Sequence, residues 1–137
     1  MEKGGAQSKF WDVDELKAMP ADLANFALYP SLRGRVVLIT GGASGIGEAG
    51  AEAFARQRSK VAFVDVQKQA AEALIRRIAE AGHPVPMFVE CDLTDTAASR
   101  ASVSRVIETL GDIDVLVNNA GNDTRHKIEE VTPELWD

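Results

Sequence analysis

The sequence predicts an α/β fold built on a doubly wound parallel sheet, and three observations carry that prediction. Short apolar runs alternate with longer amphipathic ones through residues 33–137. Glycines or acids punctuate the boundaries between runs. A glycine-rich string joins the first apolar run to the first amphipathic one. Repetition of strand, helix and strand gives parallel strands with helices on both faces.

Residues 1–32 read as a separate N-terminal extension. Residues 1–9 are polar and glycine-containing, which predicts disorder. Residues 14–19 and 22–28 read as short helices, closed by Pro20 and near Pro30. Their apolar side chains, Trp11, Leu16, Leu23, Phe26 and Leu28, need a surface to bury against, on the following domain or on another subunit.

Residues 33–137 form the α/β domain. The run 35–40, bounded by Gly34 and Gly41, is a strand buried on both faces. The stretch 46–58 is a helix rich in Ala and Glu, and 61–64 is a second buried strand ending at Asp65. In the helix 67–81, Ala71, Leu74, Ile75 and Ile78 make one apolar stripe, and Gly82 closes it. A third strand spans 85–90. A third helix, 95–110, sets Val103, Val106, Ile107 and Leu110 on its buried face and ends at Gly111. A fourth strand spans 114–118. Right-handed crossovers then order the strands 3-2-1-4. Thr132-Pro133-Glu134 opens a further helix with a capping hydroxyl, Pro in the first turn and an acid beside it. The domain is therefore expected to be the N-terminal half of a larger one, incomplete at its C-terminus.

Composition narrows the function classes. Of the 137 residues, 45% are hydrophobic and 26% charged, as in a globular protein, and the net charge of −6 argues against nucleic acid or an anionic membrane as partner. It does not argue against a phosphate-bearing cofactor, because a helix N-terminus binds phosphate without basic side chains. No apolar run approaches a membrane span of ~20 residues. The polar start lacks a secretory core, and one cysteine, Cys91, excludes an internal disulfide, so a cytoplasmic setting is expected. His83 and His126 lie far apart, so no metal site is expected.

The string Thr40-Gly41-Gly42-Ala43-Ser44-Gly45-Ile46-Gly47 sits between a strand and a helix, where a glycine loop can hold a phosphate. Gly41 turns the chain off the strand. Gly45 lets a pyrophosphate approach the backbone, and Gly47 lets the helix pack closely. Ser44 adds a hydroxyl, and the N–H groups opening the helix near Ile46 face the phosphates. The strand–loop–helix unit is that of a Rossmann-type dinucleotide-binding fold. Asp65, ending the second strand, can accept both hydroxyls of an adenosine ribose and would repel a 2′-phosphate. Neither Val66 nor Ala43 is basic, which favours NAD over NADP. The alternative is that Asp65 only caps the next helix. As an exposed strand-end carboxylate, Asp65 is expected to be replaceable by Ala with loss of NAD binding and no loss of fold.

With Cys91-Asp92-Leu93 and Asn118-Asn119-Ala120-Gly121 added, residues 33–137 resemble the short-chain dehydrogenase/reductase family. Tyr29 to Gly34 and Asn119 to Lys127 are similar to segments of bacterial NAD-dependent aldose 1-dehydrogenases of the D-xylose type. The resemblance implies that Gly41, Ser44, Gly45, Ile46 and Gly47 bind the cofactor phosphates and neighbouring ribose, and Asp65 the adenosine ribose. It implies that Asp92 meets the adenine amino group with Leu93 beside the ring. Asn119, Ala120 and Gly121 would line the cofactor cleft, and Asn118 would tie the fourth strand to its neighbours. The bland readings are a turn aspartate for Asp92 and strand-end turn chemistry for the asparagines. Asp123, Arg125 and His126 either reach a sugar hydroxyl or form a solvated loop.

The family's catalytic pair, Tyr-x-x-x-Lys, is absent. The one tyrosine, Tyr29, precedes the glycine loop, and Ser99, Ser102 and Ser104 do not match the family's catalytic serine. No catalytic residue is assigned, and the chain alone is expected to be inactive. Two readings stand: the cofactor-binding part of a homo-oligomeric NAD-dependent aldose dehydrogenase acting on a sugar-like small molecule, or a non-catalytic NAD(H)-binding module.

Overall fold

The computed structural model describes residues 27–121 and 132. Four strands, β1 (Val36–Thr40), β2 (Lys60–Asp65), β3 (Met87–Glu90) and β4 (Val115–Val117), pair in parallel in the order β3-β2-β1-β4. Three helices, α1 (Gly45–Arg56), α2 (Lys68–Glu80) and α3 (Thr96–Leu110), make the crossovers. This is the expected Rossmann-type topology. Ile39 pairs with Phe63 and with Val117, so the central strand is flanked by apolar strands on both edges.

The central strands β1 and β2 are buried on both faces, and alternate residues serve different layers. Val37, Ile39, Val61 and Phe63 pack with Ala51 and Ala55 of α1 and with Leu74 and Ile78 of α2. Val36, Leu38, Ala62, Val64 and Val89 pack with Val106 of α3. Arg77 bonds Glu48 and, at 2.5 Å, Glu52, clamping α2 to α1. Those hydrogen bonds, that to Glu48 first, raise the guanidinium pKa above its ordinary value.

Several boundaries differ from expectation for local reasons. Helix α1 stops at Arg56, because Arg58 takes a left-handed φ of +63° that a helix cannot continue. Strand β3 begins at Met87 rather than Val85, since Pro84 and Pro86 have no N–H to give a ladder. Gly82 and Gly111 follow their helices with positive φ, as expected.

The buried face of α3 is narrower than its periodicity implies. Val106 is buried and Leu110 partly so, but Val103 and Ile107 are 38% and 41% exposed. Helix α3 meets the sheet chiefly over β2, and Leu116 of β4 is 55% exposed.

Ala27 and Leu28 are not helical, so a second short helix does not reach residue 28. Instead, residues 27–32 dock on the end of α1. Gln57 Nε2 donates to the Ala27 carbonyl and Gln57 Oε1 accepts from the Tyr29 N–H. A 3-10 turn, Pro30–Leu32, follows, and Ser59 Oγ donates to the Leu32 carbonyl at 2.8 Å. The expected helix 14–19, the rest of 22–28, the loop with Asp123, Arg125 and His126, and the helix opening at Thr132 lie outside the described residues.

Candidate functional site: a cleft at the carboxyl edge of the sheet

Because the strands are parallel, the loops that follow all four emerge along one edge. They enclose a cleft of about 390 Å³, walled by Gly41, Asp65, Val66, Asp92, Leu93 and Gly121, with Cys91 and Ala120 between them. Ser44, Gly45 and Ile46 stand exposed beside it at the start of α1, with Ile46 85% exposed. Gly47 and Asn119 sit behind the loop.

The loop is folded by its glycines. Gly41 has φ +66°, and its N–H donates to the Val64 carbonyl at 2.8 Å as the chain leaves β1. Gly45 has φ +57°, yet a Cβ there would meet no protein atom within 4 Å. The space above Gly45 is open, which suits a bulky ligand group against the backbone. Gly47 differs: its Cβ would lie 2.0 Å from the Gly41 carbonyl oxygen. Gly42, which the sequence reading left without a role, would drive a Cβ to 2.4 Å from Phe63 Cβ.

Thr40, also without a role in the sequence reading, anchors β4 to β1. Its Oγ1 accepts the N–H groups of Asn119 and Ala120 at 2.9 and 3.0 Å and donates to the Val117 carbonyl. The Asn119 side chain donates to the carbonyls of Thr40 and Gly41 at 3.1 and 3.0 Å. The tie expected of Asn118 is thus made by Asn119, whose side chain points back at the loop while Asn118 is exposed.

Asp65 is only 7% exposed, which corrects the expectation of an exposed carboxylate. Its Oδ2 accepts the Ala43 N–H and its Oδ1 the Gln67 N–H, both at 2.9 Å. It therefore joins the glycine loop to the entrance of α2, and the capping alternative is partly realised. Each oxygen keeps a second lone pair for another donor. Gln67 Nε2 continues this network to Ser44 Oγ at 3.1 Å.

Asp92 Oδ1 accepts from the Thr94 hydroxyl at 2.7 Å and the Thr94 N–H at 2.9 Å, closing a turn beside Leu93. Those two bonds, the hydroxyl first, hold the carboxyl below its ordinary range. Tyr29 stands elsewhere: it is tied to Gln57 beyond the end of α1, toward the amino edge of the sheet. Among the described residues, no group of His, Cys, Asp and Glu is arranged to hold a metal ion, and no helix is long and apolar enough to cross a membrane.

A family model described as short chain dehydrogenase matches residues 35–137. The chain belongs to the short-chain dehydrogenase family. This short-chain dehydrogenase chain is 47% identical over 109 residues to a probable galactose dehydrogenase of Rhizobium meliloti, covering 80% of the chain and 43% of that protein. It is 47% identical over 112 residues to a D-xylose 1-dehydrogenase of Caulobacter vibrioides, covering 81% of the chain and 43% of that protein. Among solved structures it is similar to a short chain dehydrogenase from Mycobacterium smegmatis, with a TM-score of 0.71, 31% identity, and 81% and 46% of the two chains covered. It is also similar to an actinorhodin polyketide ketoreductase variant with NADPH, at a TM-score of 0.66, 31% identity, and 74% and 39% covered. The chain spans less than half the length of these relatives.

Proposed function

We propose that the cleft binds NAD and that the chain is the cofactor-binding part of a sugar dehydrogenase. In this reading the pyrophosphate lies over Gly45 at the start of α1, with Ser44 and Ile46 around it, Gly41 turning the loop beneath and Gly47 letting the helix pack close behind. The adenosine ribose bonds the Asp65 carboxylate. The adenine lies against Leu93 with its amino group toward Asp92. Ala120 and Gly121 carry the cleft toward the nicotinamide end, and Asn119 braces the loop behind them.

The observation that carries the reading is the setting of Asp65. Two backbone N–H groups orient both carboxylate oxygens at the cleft wall. A carboxylate so held accepts ribose hydroxyls and repels a 2′-phosphate. No Lys or Arg lines the described wall to offset that repulsion. The relative solved with NADPH is a different member of the family, so NAD is a property assigned to this chain's own acid.

When bound, NAD accepts the hydride released from the substrate carbon. The aldose dehydrogenases among the relatives support an aldose, D-xylose-like, oxidised at C1 to a lactone by the whole protein. The chain's own residues bind and orient the cofactor. None of them offers the Tyr-x-x-x-Lys proton acceptor, and Tyr29 is remote from the cleft. The chain by itself is therefore inactive in this reading. The second reading is a non-catalytic NAD(H)-binding module. Coding sequence past Asp137 separates the two: Tyr-x-x-x-Lys in frame supports the dehydrogenase, and its absence the module.

Calorimetric titration of the chain with NADH and NADPH tests the site. NADH is expected to bind at least tenfold more tightly. Equal affinity overturns the assignment to NAD, and binding of neither overturns the site.

A further inference from the structure

We propose that Gln67 is a positioning residue for the phosphate loop, acting through the Ser44 hydroxyl; this rests on the cofactor reading above. Ser44 occupies the N-cap position of α1, where a serine ordinarily turns its oxygen onto an N–H of the first turn. Here it makes no such cap bond. Its Oγ instead accepts from Gln67 Nε2 at 3.1 Å. A hydroxyl that accepts from an amide keeps its own hydrogen for another acceptor. Ser44 is thereby set as a donor to an anion at the start of α1, and the N–H groups of that turn are spared a competing side-chain oxygen.

Gln67 is fixed for this task from its own backbone. Its N–H donates to Asp65 Oδ1 at 2.9 Å, and Asp65 Oδ2 in turn accepts from Ala43, the neighbour of Ser44 in the loop. The ring Asp65–Gln67–Ser44–Ala43 thus connects the carboxylate assigned to the ribose with the hydroxyl assigned to the phosphates. No part of Gln67 is required to touch the cofactor. Neither Gln67 nor Ser44 is buried, so their bond contributes little to the fold. Its consequence is confined to what Ser44 does.

The test is calorimetry on the full chain with two probes, NADH and adenosine, the second lacking phosphate. Gln67→Ala is expected to weaken NADH about fivefold, the equivalent of one ordinary hydrogen bond, and to leave adenosine binding and the urea midpoint unchanged. Ser44→Ala should lose a similar factor. The double variant should lose no more than either single one, because both remove the same donor. Multiplicative losses, an unchanged NADH affinity in Gln67→Ala, or equal losses for NADH and adenosine each overturn the proposal. If the unaltered chain binds neither probe, the cofactor reading itself has failed. If it binds both and the variants behave additively, only the role of Gln67 has failed.

Discussion

Ala43 donates its N–H to Asp65 Oδ2 at 2.9 Å, joining the glycine loop to the end of β2 across 22 positions of sequence. The acid assigned to cofactor binding is therefore also a structural acceptor. Stability and affinity are coupled at this one residue.

Asp65→Ala is accordingly expected to lower both. The buried Ala43 N–H loses its acceptor and the Gln67 N–H loses its own, which costs roughly 2 kcal/mol of stability. NADH affinity should fall about tenfold or more, since the hydrogen bonds lost involve a charged acceptor. Urea denaturation followed by calorimetry checks both, and an unchanged denaturation midpoint contradicts the structural role.

Two glycines of the loop should respond to the same substitution for different reasons. At Gly45 an added Cβ finds open space, so Gly45→Ala costs only the left-handed backbone strain, about 1–2 kcal/mol. It should nevertheless impair NADH binding, because the methyl occupies the space assigned to the pyrophosphate. At Gly47 the Cβ would collide with the Gly41 carbonyl oxygen at 2.0 Å. Gly47→Ala should therefore destabilise the chain more than Gly45→Ala and distort the loop even without ligand. Thermal unfolding of both variants, with and without NADH, tests the ordering.

Thr40→Val keeps the shape of the side chain and removes the oxygen that accepts from Asn119 and Ala120. The expected loss is about 1 kcal/mol, the cost of stranding the partly buried Asn119 N–H, since the Ala120 N–H is exposed and can turn to water. Amide hydrogen exchange should quicken first in Val115–Val117, because Thr40 and Asn119 supply side-chain ties from β1 to the segment that follows β4. Thr40→Ser should restore most of the loss.

The Asp92 carboxyl has its pKa lowered from 3.8 by the Thr94 hydroxyl and then by the Thr94 N–H. A carboxyl lowered on folding contributes stability that is complete above its unfolded pKa and lost as pH falls through the folded one. The contribution therefore fades below about pH 3.8. Thr94→Ala removes the larger cause and should raise the Asp92 pKa toward the ordinary value, as read by NMR titration of the side-chain carboxyl. An unmoved pKa would show that the turn, not the hydroxyl, sets it.

Much of this architecture was legible because it is written locally. Apolar runs closed by Gly41, Asp65 and Gly82 mark strand and helix ends, since backbone sterics and burial act over a few residues. The crossover rule then fixes strand order without knowledge of any contact. The stripe on α2 matches the sequence pattern, because Ala71, Leu74 and Ile78 are all buried in the layer that β1, β2 and α1 share. The stripe on α3 was read too wide, because periodicity reveals an apolar face but not how much of it a neighbour covers; Val103 and Ile107 show the difference.

The sequence by itself determined the parallel order of the strands, the glycine loop at the head of α1, and membership of residues that end on one edge. Tertiary structure alone decided that Asp65 is buried and braced, that Asn119 rather than Asn118 ties β4 to β1, and that Thr40 and Gln67 hold the loop. The physical reason is that a hydrogen bond depends on what stands opposite. At this edge the opposite partner comes from another strand, set there by the twist and register of the sheet.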